Sequence, residues 1–141
     1  MKSQFVRIVL TAALTALGSL TLSAQDKKEA AKIPFAFHAN HNSFAAGDYD
    51  VEQVSSFGLF QIMGKSNGHS IFVNAPPAVE AKNYSGPHLT FACYKGDCVL
   101  SQIWLPGSKI GYARPDSAVD RDLQRKLGMS SMISVRLTAH Q

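Results

Sequence analysis

Residues 89–107 read LTFACYKGDCVLSQIWLPG, two apolar runs on either side of Lys95-Gly96, and no other stretch restricts the fold of this chain as strongly. A two-residue connection ending in glycine tolerates the positive φ angles of a tight hairpin turn, so the two runs fold back on each other as antiparallel strands. With Lys95 and Gly96 at the centre of the turn, Tyr94 faces Asp97 and Cys93 faces Cys98. The first pair exchanges hydrogen bonds, which makes the second a non-hydrogen-bonded pair with Cα atoms about 4.5 Å apart. That is at the short end of disulfide reach, and the spacing predicts a Cys93–Cys98 bridge. Reduced structural thiols are the alternative. A redox pair of the thioredoxin type needs two intervening residues, and two thiolates make only half a zinc site.

The rest of the chain reads the same way. Ile33, Phe35 and Phe37 alternate with Pro34, Ala36 and His38, the period of a half-buried strand, and Pro34 confines that strand to an edge or makes it begin there. Ala46-Gly47 turns the chain into a second strand with Tyr49 and Val51 inward and Asp48, Asp50 and Glu52 in water. Residues 57–63 and 70–73 follow as strands joined through Asn67-Gly68, giving a meander. The Pro- and Gly-rich loop over residues 74–87 has room for a brief strand at 78–81. Val119, Leu123 and Leu127 mark one helix, with Ser117 and Asp120 placed as a cap and Gly128 as its stop. Met132, Ser134 and Arg136 alternating with Ile133, Val135 and Leu137 complete the set with a last strand. The fold class is therefore mainly β: a single antiparallel β-sandwich or small β-barrel with one short helix near the C-terminus.

The first residues carry an address. Lys2 and Arg7 precede an apolar run over residues 8–22, and Leu22-Ser23-Ala24 supplies small residues for cleavage, so residues 1–24 read as a signal peptide. The run is interrupted by Thr11, Thr15, Gly18 and Ser19 and falls short of the ~20 residues that span a bilayer. The expected organisation is a signal peptide over 1–24, a polar leader over 25–32 and a β domain over 33–141. The product is periplasmic or extracellular, with no membrane span after cleavage, and monomeric. The net charge of the whole chain is +4, and loss of Lys2 and Arg7 lowers it by two. The remaining basic residues are scattered, which argues against nucleic acid as a partner.

Chemistry is sparsely signalled. His38 and His41 straddle a strand end and a turn, and His69, His88 and His140 lack a partner at ligand spacing, so no metal and no cofactor is expected. No serine lies in a Gly-x-Ser-x-Gly elbow and no Gly-rich phosphate loop occurs. The aromatic residues are the remaining lead: most belong to a core, and Tyr94, Trp104 and Tyr112 are candidate ligand contacts. The loops at 74–87 and 105–112 are the places where function would sit. The leading expectation is a non-catalytic binding or cell-envelope component for a small molecule or envelope partner. A lipocalin-like carrier of an apolar ligand and a hydrolase of envelope glycans are the alternatives.

Three segments resemble a group of uncharacterised exported proteins of acidobacterial type: Ile33-Pro34-Phe35-Ala36-Phe37, then Phe44-Ala45-Ala46-Gly47-Asp48-Tyr49-Asp50-Val51, then Ile103-Trp104-Leu105-Pro106-Gly107-Ser108. That group shows a Pro-Phe-x-Phe strand, a Pro-Ala-Gly-x-Tyr-x-Val turn and a Trp-x-Pro-Gly-Ser segment in this order. The likeness covers about residues 33–127 and implies no activity. Ala45 stands where the group has proline, and cysteines are not part of its pattern.

Overall fold

The computed structural model describes residues 28–115 and 118–140, in which the chain forms eleven strands and one helix. The strands are β1 (Lys28–Ile33), β2 (Phe37–Ala39), β3 (Asn42–Phe44), β4 (Gly47–Ser55), β5 (Leu59–Gly64), β6 (Ser70–Asn74), β7 (Pro77–Glu80), β8 (His88–Tyr94), β9 (Asp97–Trp104), β10 (Ile110–Ala113) and β11 (Ser131–Ala139). Helix α1 (Ala118–Leu127) precedes β11. The strands build one sheet in the order β3-β2-β9-β8-β11-β1-β4-β5-β6, and β10 joins the free part of β9 and carries β7. The sheet curls into an open half-barrel, in keeping with the expected mainly β class.

Two junctions shape the curl. The outer edge of β9 is shared: its first half pairs in parallel with β2, Phe37 opposite Cys98, and its second half pairs with β10, Ile103 opposite Tyr112. On the far side, β6 and β7 are one run of chain bent at Ala75-Pro76. Because β6 bonds to β5 while β7 bonds to β10, the sheet's two ends are linked there by backbone continuity. The Ala75 amide donates to the Gly58 carbonyl at 2.7 Å. Gly58 has φ +100°, and a Cβ at that position would run into the Ala75 carbonyl, so only glycine fits this corner.

The predicted hairpin is present. Lys95 and Gly96 both have positive φ, Cys93 is in register with Cys98, and their sulfurs form a disulfide across Cα atoms 4.0 Å apart. Helix α1 ends at Gly128, whose φ is +83°, and packs over β8, where the Gln124 amide donates to the Tyr94 hydroxyl at 3.2 Å. Arg114 ties the segment before the helix to the sheet, with Nε on the Leu100 carbonyl at 2.8 Å and a guanidinium nitrogen 2.6 Å from Asp120. The expected cap at Ser117 and the signal peptide lie outside the described residues.

Three expectations need correction. The polar leader over 25–32 is a strand from Lys28 onward, because the small alanines at 30 and 31 let β1 fit between β4 and β11; residues 25–27 lie outside the description. The single strand at 33–38 is two, since Pro34 cannot donate to a ladder and the chain leaves the sheet between Ile33 and Phe37. Asp50 is not in water. It sits between β1 and β5 with Lys65 Nζ at 3.3 Å and His140 Nδ1 at 3.2 Å from its Oδ1, an electrostatic approach without aligned hydrogen bonds. Asp48 is exposed, and Glu52 is half-buried beside Lys28.

The hollow of the half-barrel is filled. Val51, Phe60, Ile62, Val73, Leu89, Phe91, Leu100, Ile103 and Leu137 are fully buried across its middle. Towards the disulfide, Phe37 stacks on Phe44 and meets Tyr49 and Phe91 edge-on, with ring centroids 5.1 to 5.3 Å apart. This aromatic floor closes one end.

Candidate functional site

Among the described residues, the opposite end is not closed. On β1 the inward positions run Ile33, Ala31, Glu29, and on antiparallel β4 they run Tyr49, Val51, Gln53, so both strands turn polar as they reach the same end. Tyr112 comes to this end on β10, inward with Ile103, its ring edge-on to Phe60 at 5.0 Å. The connection after β9 forms a lip. Together Glu29, Gln53, Leu105, Pro106, Ser108 and Tyr112 line a cavity of about 360 Å³.

The lining is held in place. The Gln53 amide donates to the Tyr112 hydroxyl at 3.2 Å. The lip is pinned by Tyr84, whose hydroxyl donates to the Leu105 carbonyl at 2.7 Å and accepts from the Gly107 amide at 3.2 Å. Gly107 has φ +70°, which the turn after Pro106 requires. Ser108 Oγ donates to the Ile110 carbonyl, closing the far side of the lip. Burial lifts the Glu29 carboxyl above its ordinary value, since its charged form loses water there.

The three aromatic candidates do not share a site. Tyr94 lies under α1, and Trp104 lies on the outer face of the sheet; each is buried, at 3% and 6% exposure, outside the inner core. The indole stacks on His88 with ring centroids 5.7 Å apart and covers Gly111, where any Cβ would strike it. A smaller cleft of about 180 Å³ lies beside it, formed with residues 81–85. Only Tyr112 lines the mouth. A third hollow of about 190 Å³ touches His38, His41 and Arg114, but the Arg114 guanidinium is already committed to Asp120 and Leu100. His38 Nδ1 lies 3.0 Å from Ser43 Oγ, and among the described residues no three His, Cys, Asp or Glu side chains converge as metal ligands.

Glu29 and Gln53 were not singled out from the sequence. Both stand in phase with inward apolar residues of their own strands, and a polar residue in that phase next to a strand end was the available signal. Comparison with family models, curated proteins and solved structures finds no match.

Proposed function

We propose that this is a non-catalytic binding domain that takes a small molecule at the open end of its half-barrel. The observation that carries the reading is the cavity itself: a packed interior gives way at one end to about 360 Å³ of space with a carboxyl, an amide and a phenol on its wall. Mouths of β-barrels are recurrent ligand sites, and the volume lies at the small end of the ~300–1,000 Å³ such sites span. The pinned lip supports the same reading, because a preformed site loses little freedom on binding.

The filled interior counts against a lipocalin-like carrier that engulfs an apolar ligand. Glycan hydrolysis is less well supported than binding, since among the described residues the lining includes one carboxyl, Glu29, where glycosidases generally use two. Export is part of the proposal: the disulfide fits an oxidising compartment, in keeping with the signal-like residues 1–24.

Native mass spectrometry of the purified protein after incubation with a small-molecule extract of its host tests the reading. A retained mass that disappears in Gln53→Phe is the expected result. No retained mass, or one that substitutions at the mouth leave untouched, would overturn it.

A further inference from the structure

The mouth has a chemical bias. Among the described residues Glu29 is the charged one lining it, and no described cation is paired with it. Its strand neighbours point the other way: Lys28 pairs with Glu52 at 3.7 Å and Lys32 is exposed. Hydrogen-bonding capacity is skewed as well. Gln53 directs its amide nitrogen to Tyr112, which leaves its oxygen as an acceptor, while Ser108 Oγ is committed to Ile110. The wall therefore offers carboxylate and amide oxygens, with the Tyr112 O–H and the second Gln53 N–H as the remaining side-chain donors. Leu105, Pro106 and the Tyr112 ring supply apolar surface beside them.

We infer, resting on the mouth being the binding site, that its ligand is a compact organic amine in the protonated form, the ammonium group against Glu29 and Gln53 and the apolar part against Leu105, Pro106 and Tyr112. An ammonium brings three donors to a wall rich in acceptors and sets a positive charge against Glu29. A carboxylate ligand would meet a like charge. A neutral alcohol would satisfy some acceptors and bring no charge to Glu29. The raised proton affinity of Glu29 agrees with this: a group that holds a proton more readily than usual gains from any other bound cation.

Amide-resolved NMR titration of the oxidised protein separates these cases, using benzylammonium chloride, benzyl alcohol and sodium benzoate at equal ionic strength. Benzylammonium is expected to shift Glu29, Gln53, Gly107 and Tyr112 saturably and to bind about ten-fold or more tighter than the other two, the worth of one charge-assisted hydrogen bond. Glu29→Gln should abolish that preference. Equal binding of all three probes at the mouth, or a preference unchanged in Glu29→Gln, overturns the amine inference and leaves the mouth as the site. If none of the probes shifts the mouth, the amine inference falls, while the retained-mass experiment above judges the mouth independently. The preference among probes is read on the unmodified protein, so the result stands even if the variant folds poorly.

Discussion

The two ends of the half-barrel are built from the same strands and behave as opposites. On β4, Tyr49 belongs to the floor and Gln53 to the mouth; on β9, Cys98 is stapled at the floor and Leu105 just beyond the strand forms the lip. The floor is closed by interlocking rings and a disulfide, and its inward positions are apolar. At the mouth the inward phase continues for one more position on each strand but carries polar groups, so the last layer is not packed. The difference teaches that the residue filling the last inward position determines whether an end is sealed or left open. The floor should therefore govern stability and the mouth binding.

Phe37→Ala tests that division most severely. Phe37 is 1% exposed and packed among three other rings, and its loss should destabilise the protein by about 3–5 kcal/mol in urea unfolding. A loss of under about 1 kcal/mol would mean the floor is not the anchor. Replacing both cysteines by serine should cost about 2 kcal/mol, the modest value for a bridge closing so short a loop, with the hairpin register kept. Tyr112→Phe removes the bond from Gln53 and should lower stability by about 1 kcal/mol or less while weakening ligand retention more clearly. A variant that loses stability as Phe37→Ala does would erase the contrast between the ends.

Glu29→Gln is expected to have the smallest effect, and its sign is opposite. Burial raises the folded-state carboxyl above its ordinary value, so the ionised form is penalised at neutral pH and the penalty fades as the pH falls through the folded-state value. The variant should melt slightly higher than the natural protein at pH 7, and the gap should close as the pH approaches 4.5, the unshifted carboxyl value. A gap that widens on acidification would place Glu29 in a stabilising interaction and remove it from the mouth as described.

Much of the architecture was legible from local spacing. The turn at Lys95-Gly96, the facing cysteines, the meander through β4, β5 and β6 and the helix ending before Gly128 all follow from rules that act within about ten residues. The mouth was not, because it depends on which distant strands become neighbours. Glu29 read as part of a polar leader since nothing local tells that Ala31 and Ile33 continue its strand into the interior. That Tyr94 lies under a helix and Trp104 beside a separate cleft was not legible either, because aromatic character does not reveal which face of a strand a helix or a loop will cover.

The pairing of β1 with β11 sets a timing for folding. Thr138 Oγ1 donates to the Ala30 carbonyl across 108 positions of chain, and these two strands occupy the middle of the sheet. Loops of that length close slowly, so the nascent polypeptide carries exposed strand edges until β11 has been synthesised. Assembly of the sheet then waits on its last strand, and any factor that shields unpaired strands must stay bound until β11 arrives.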